Sequence, residues 1–356
     1  MYMSEPKLLS SGVYGCVYHP GYICSGTLDT SNNVTKLVMN DFTTQTEIEV
    51  GQKLKNIEGF IVTTDSCIIQ HNILQKSGMV HQCELLKRGI DPKEQYKLLH
   101  SRYIKSVELD DYLNKYATSD MVIRTYLRVC QLIIVMINKR IVHNDLHFGN
   151  ILVHNSKLYV IDYGLSIIMD KCYIGQHINY PYLKEVTFKY SPSWKYWTIE
   201  YHIICFLLHS GQIFTEVTLN KLINDHLLKH TILKSIGYNF ADEFMKTSKE
   251  YFKQYVGQSK DAIIKSMLQT YYTWDYYKIG MNYINIYTTN KLNNVDFLMI
   301  LLLLIHPNPT FRPSVSEITE NNKVLVSKYK PEQVSKVTFP SQLLKGLKST
   351  IPIPVS

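Results

Sequence analysis

Two apolar runs separated by a polar turn, with acidic and amide side chains at their ends, limit this chain more than any other feature. The first run, Ile151-Leu152-Val153, is preceded by Val142-His143-Asn144-Asp145-Leu146-His147-Phe148-Gly149-Asn150. The second, Leu158–Ile161, leads straight into Asp162-Tyr163-Gly164. His154-Asn155-Ser156-Lys157 lies between them and has turn composition, so the spacing predicts a β-hairpin. A hairpin this short returns the chain to roughly where it left, so Asp162 is expected to converge with Asp145 and Asn150. A carboxylate and an amide oxygen held together suit Mg²⁺, and a second carboxylate beside them can orient a hydroxyl. Each residue alone would be an ordinary loop residue. Their order and spacing make chance a poor account.

The rest of the chain divides by texture. Lys7–Ser11, Gly15–His19 and Val34–Met39 are β-like runs separated by turn residues, and Phe42 to Ile57 has helical spacing with Val50, Leu54 and Ile57 on one face. Phe60 to Tyr103 alternates apolar patches with turns and is expected to complete a small sheet. From Asp110 the pattern turns helical, with a long apolar helix predicted over Met121–Asn138 and helices again from Trp194 to Val326. The class is therefore α+β. At 356 residues, 45% hydrophobic and 19% charged, the chain is long enough for two lobes.

Several classes drop out. Met1 to Leu9 carries Glu5 and Lys7 and does not read as a secretory leader. Phe297–Ile305 is far too short for a membrane span, so the expectation is a soluble, intracellular protein. The formal charge of +8 accompanies no zinc finger, RNP-like motif or basic stripe, and no specific nucleic-acid partner is expected. Seven scattered cysteines without a C-x-x-C pair read as free thiols in a reducing environment.

The motif H-x-D-L-x-x-x-N with D-Y-G resembles the catalytic loop and D-F-G metal loop of protein kinases. That resemblance implies a bilobal protein-kinase-like fold. Its parts would be a small β-rich N-lobe with one helix (1–106), a larger α-helical C-lobe (107–328), an ATP cleft between them, and an extension (329–356). It implies that Asp145 orients the attacking hydroxyl and that Asn150 and Asp162 hold Mg²⁺, with Mn²⁺ as a substitute. Leu9-Ser10-Ser11-Gly12-Val13-Tyr14-Gly15-Cys16-Val17 resembles the glycine-rich loop, with Ser10 replacing the first glycine, so Ser10, Gly12, Gly15 and Val17 would surround the ATP phosphates. Lys36, in the apolar strand Val34–Val38, matches the phosphate-contacting lysine. Glu47 is its expected partner, with Glu49 as alternative. Thr44-Gln45-Thr46-Glu47 also fits a capping box.

The hinge would fall near Ile104–Val107, and Arg312 in Pro309-Thr310-Phe311-Arg312-Pro313-Ser314 matches the family's late structural arginine. The resemblance runs from about Leu8 to Ile318. It looks most like the divergent serine/threonine kinases of large DNA viruses, which implies protein substrates and a host-cytoplasm or virion setting.

Four departures matter. Asn144 replaces the arginine of H-R-D, so phosphorylation of the activation loop is not the expected switch. His147 replaces a lysine that neutralises the transferring phosphate, and supplies a weaker, pH-dependent charge. No A-P-E occurs between Asp162 and Trp194, leaving Leu165–Pro192 as an unconventional substrate segment. Glu200 stands where an aspartate is usual, either as a replacement or through a shifted register. D-L-H also occurs in kinase-fold enzymes acting on small molecules, which is one alternative reading. A nucleotide-binding scaffold is another.

Overall fold

The computed structural model describes residues 6–329 apart from Val13, Thr30, His81, Gln82, Arg88, 188–190, Pro192 and Lys229. The expected extension 329–356 lies, but for Tyr329, outside them. In chain order the first elements are β1 (Lys7–Gly12), β2 (Gly15–His19), β3 (Asn33–Met39), α1 (Phe42–Leu54), β4 (Asp65–Ile69), α2 (His71–Lys76), β5 (Tyr96–Arg102) and β6 (Val107–Glu108). Helices α3 (Leu109–Tyr116) and α4 (Ser119–Asn138), the short β7 (Ile141–Val142), and β8 (Ile151–His154) with β9 (Lys157–Val160) follow. Past these come β10 (Ile167–Ile168), β11 (Tyr173–Ile174), β12 (His177–Ile178), α5 (Tyr180–Val186), α6 (Ile199–His209) and α7 (Glu216–Leu228). The chain then runs through α8 (Thr231–Ile236), α9 (Tyr238–Phe252), α10 (Lys260–Leu268), α11 (Trp274–Thr289), α12 (Val295–Leu304) and α13 (Val315–Tyr329).

Two compact units result. One comprises the described residues of Met1–Glu108 and Asn150–Ile167, the other those of Leu109–Gly149 and Ile168–Ser356.

The first unit is built on an antiparallel sheet in the order β1-β2-β3-β5-β4. Strand alternation sorts its side chains. Cys16 and Tyr18 of β2, Leu37 of β3, Leu98 and Tyr96 of β5 and Ile69 of β4 share one face. They form a buried core with Tyr22, Leu74, Met79, Cys83 and Leu86 from the connecting segments. Fully burying a side chain of this size contributes about 1.5–3 kcal/mol. Val17, Lys36 and Leu99, which are paired across the ladder, point to the opposite face. Helix α1 starts at Asp41, whose carboxylate accepts from the Thr44 backbone N–H at 3.0 Å and from the Thr43 hydroxyl at 2.7 Å. It ends at Leu54, three residues earlier than the periodicity predicts, because Asn56 takes a left-handed φ of 64°. The β8–β9 hairpin closes through Asn155-Ser156, both at positive φ (48° and 60°), the conformation of a two-residue hairpin turn.

The second unit is helical. Helix α4 buries Val122, Ile123, Tyr126, Leu127, Cys130 and Ile133, the stripe that its 3–4 spacing predicts. In α11 every residue from Trp274 to Ile284 is buried. Gly280 lets α12 approach: a Cβ there would lie 2.8 Å from Ile305 Cγ2 and 3.1 Å from Leu304 Cβ. Tyr126 meets Tyr283 and Phe297 edge-on, with ring centroids 5.5 and 5.1 Å apart. No helix among the described residues is long and apolar enough to cross a membrane.

One expectation is overturned. Four of the cysteines are not free: Cys16 is disulfide-bonded to Cys83, and Cys24 to Cys67. Cys130, Cys172 and Cys205 are free and buried. The partners lie 67 and 43 residues apart, so no local spacing reveals them. The sheet brings them together, and the inference of a reducing environment loses its basis.

Candidate active site

Lys36 is the centre of the first unit's site. Its ammonium donates to Glu47 Oε2 at 2.8 Å and to Asp162 Oδ1 at 2.9 Å. Strand β3 aims the lysine at the face opposite the Cys16 core, and α1 brings Glu47 to it. The capping role that the sequence also allowed for Glu47 falls to Asp41, and the lysine's partner is Glu47 rather than Glu49. Burial pulls Lys36 toward neutrality, but Glu47 and then Asp162 outweigh it and hold the ammonium above lysine's ordinary pKa. Burial pushes the Glu47 carboxyl up, against the pull of Lys36, and Asp162 adds to the rise.

The glycine-containing hairpin lies beside this lysine's strand. Ser10 pairs with Val17, Gly12 with Gly15, and Val17 with Lys36 across the ladders. Gly15 is required sterically: a Cβ would sit 2.6 Å from the Leu37 carbonyl oxygen and 2.9 Å from Val38 Cγ1. A Cβ at Gly12 would meet no described atom within 4 Å, so its outer side has room for a ligand. Val13, at the tip, is outside the described residues. The Ser11 hydroxyl accepts from the Glu84 N–H at 2.9 Å and lies 3.4 Å from Cys16 Sγ, anchoring the hairpin on the segment that carries Cys83.

Asn150 and Asp162 flank the hairpin's open end. Ile161 N–H donates to the Asn150 carbonyl at 3.1 Å, which sets the residue before Asp162 against Asn150. Asp162 adopts φ 64°, a left-handed backbone that a short acidic residue tolerates, and its side chain is nearly half exposed. Tyr163 is buried and donates to the Val160 carbonyl at 2.6 Å, pinning the turn. No cluster of three or more His, Cys, Asp or Glu among the described residues could hold a metal. One carboxylate and one amide fit Mg²⁺ of the kind that takes its other ligands from phosphates and water.

Asp145 and His147 belong to the second unit. His147 Nδ1 accepts the Gly149 N–H at 3.0 Å, so a neutral ring carries its proton on Nε2, which lies 3.9 Å from Asp145 Oδ2. Asn144 takes φ 64°, and its amide donates to the Tyr201 hydroxyl at 2.9 Å while its carbonyl accepts from Trp197 Nε1 at 3.1 Å. These contacts fill the position where H-R-D has arginine.

Sequence reasoning missed Asp275. From the first turn of α11, its Oδ2 accepts from the His143 N–H at 2.7 Å and its Oδ1 from the Asn144 N–H at 3.1 Å. It thereby fixes the turn that ends in Asp145. Glu200, expected to stand for an aspartate, has another role: it is fully buried and grips Arg312 with two bonds of 2.6 and 3.1 Å. A findable signal was Asp275 and Lys278 inside the otherwise apolar run Trp274–Gly280.

Residues 94–180, about a quarter of the chain, are similar to a family described as the ABC1 atypical kinase-like domain. The matched stretch contains both H-N-D-L-H-F-G-N and D-Y-G. No curated protein sequence matches the chain. The family match supports a protein-kinase-like superfamily and suggests phosphotransferase activity. Together with the strand and helix content it fits an α+β kinase-like fold.

Proposed function

We propose that this chain is an ATP- and Mg²⁺-dependent phosphotransferase whose acceptors are serine and threonine hydroxyls of proteins. The observation that carries the reading is Lys36 held between Glu47 and Asp162, at 2.8 and 2.9 Å. A mostly buried ammonium fixed by two carboxylates beside a glycine-containing hairpin suits the phosphates of a nucleotide. Lys36 would donate to phosphate oxygens while Glu47 keeps it in place. The backbone of Ser10, Gly12 and Gly15 would offer N–H groups, with Val17 beside them. Asp162 and Asn150 would hold Mg²⁺, which when bound neutralises phosphate charge. Asp145 would accept a hydrogen bond from the acceptor hydroxyl, and the Nε2–H of His147 is available as a donor toward the same region. The lobes of this reading are 1–106 and 107–328. Removing a positioned base of the Asp145 type costs about 10²–10⁴-fold in rate, or about 3–5 kcal/mol of barrier.

A second reading, transfer to a small hydroxyl compound, is favoured by the likeness to an atypical kinase-like family and by His147 in place of lysine. The test is transfer of labelled phosphate from ATP with Mg²⁺ by wild type, Asp145→Asn and Asp162→Asn, offered generic acidic and basic proteins. Transfer to serine or threonine that both substitutions abolish is the expected result. Nucleotide binding without transfer to any protein would overturn the protein-kinase reading and leave the second.

A further inference from the structure

Beneath the 143–145 turn lies a charge that none of these steps uses. Lys278, three residues after Asp275 on α11, is 2% exposed. Its ammonium sits 3.4 Å from Asp275 Oδ1 and donates to the Trp274 carbonyl at 3.3 Å. A buried ammonium persists only where opposite charge and hydrogen bonds offset its lost hydration. Asp275 supplies that charge, and its two oxygens are the acceptors for the His143 and Asn144 N–H groups.

The two contacts depend on each other. An ionised carboxylate accepts on both oxygens, which is what the two backbone N–H groups engage. Asp275 is itself buried, and Lys278 is the cation that lies against it. The charged groups facing Lys278 are Asp275, then Asp145 and Glu200, and the ring of His202 is the other titratable neighbour. Glu200 is already matched by Arg312. Burial draws the Lys278 pKa below lysine's ordinary value, with Asp275 first among the groups that oppose the fall.

We propose that Lys278 is a positioning residue for phosphotransfer: its buried ammonium holds the Asp275 carboxylate in place, so that both oxygens keep the turn before Asp145, and it supplies a positive charge near Asp145. This rests on the reading of Asp145 as the group that orients the acceptor hydroxyl.

The experiment compares wild type with Lys278→Met, which keeps the length without the charge, and Lys278→Arg, which keeps the charge. If Lys278→Met does not fold, Lys278→Gln takes its place. The readouts are kcat against pH, KM for MgATP, and the tryptophan-monitored unfolding midpoint. The neutral variant is expected to lose about 10–100-fold in kcat at pH 7 with KM for MgATP within about twofold. The acid limb of its profile is expected to move up by about one pH unit, since Asp145 then loses the positive charge near it. Lys278→Arg is expected to return that limb toward the wild-type position. An acid limb that stays put, with kcat lowered equally at every pH, would make Lys278 merely structural and overturn the proposal. If wild type transfers no phosphate to any acceptor, the functional reading has failed rather than the clamp. Amide exchange at His143 and Asn144 then decides: faster exchange in the neutral variant supports the clamp, and unchanged exchange refutes it.

Discussion

Removing the Arg312 guanidinium should cost the second unit more stability than any surface change. The guanidinium makes two bonds to Glu200, one to the His306 carbonyl at 2.7 Å and one to the Thr273 hydroxyl at 3.2 Å, and it lies 5.0 Å from the Tyr277 ring centre. Both partners of the ion pair are within 1% of full burial. Arg312→Met leaves a dry carboxylate without the cation bonded to it, and breaking a buried pair from one side costs about 3–5 kcal/mol. Glu200→Leu strands the guanidinium and should cost a similar amount. The double variant removes both charges and takes a donor from the His306 carbonyl and from the Thr273 hydroxyl, which still donates to the Thr270 carbonyl, about 1 kcal/mol each. It should therefore lose only about 2 kcal/mol, less than either single change. The chain's three tryptophans, Trp194, Trp197 and Trp274, all lie in this unit, so urea unfolding followed by tryptophan fluorescence reads it selectively. A cost below about 1 kcal/mol for Arg312→Met, or a double variant as costly as the sum of the singles, would refute this account.

Three other outcomes are expected. Gly15→Ala drives a methyl into the Leu37 carbonyl and should destabilise by about 1–3 kcal/mol, while Gly12→Ala, with open space around it, should stay within about 0.5 kcal/mol in thermal melting. Cys83→Ser opens a 67-residue closed loop and should cost the first unit about 4 kcal/mol by chain entropy; a loss below about 1 kcal/mol in the same melts would contradict the crosslink's role. In the second unit His202, His226 and His230 lie side by side, with ring centres 4.9 and 5.1 Å apart. Burial first, and His226 next, hold His202 well below its ordinary pKa and His230 down at about 2. The unfolded chain therefore binds protons that the folded one refuses, and stability should fall as pH drops below about 6.5, by up to about 1.4 kcal/mol per pH unit for each such ring. A urea midpoint that does not move between pH 7 and pH 5 would contradict this.

What the sequence made legible follows from how local each signal is. Strands β1 to β3 were readable within a residue because alternation is written along the chain, and the β8–β9 hairpin because Asn155-Ser156 tolerates positive φ. Glu47 could be preferred to Glu49 from helical spacing, but only the geometry of Asp41 frees it from capping. Asp275 could be flagged only as a charge in an apolar run, and its partners could not be read, because they are backbone N–H groups about 130 residues away. The disulfides were hidden for the same reason: Cys16 and Cys24 meet partners supplied by distant strands and connections. Glu200 misled because a carboxylate at a helix start is common, and its real partner, Arg312, lies 112 residues on.

The first unit is assembled from two stretches of chain, with residues 109–149 set between them in sequence. This has a consequence for synthesis. When the ribosome has released residue 108, the sheet strands and Lys36 are present, but β6 lacks its partner β8, and Asp162 has not been made. Vectorial folding cannot complete this unit until residue 167 emerges. By then α3 and α4 of the other unit have already been exposed. A nascent chain stalled near residue 120 would therefore display Lys36 with Glu47 as its sole acidic clasp of the two, and one stalled well beyond residue 170 would display both.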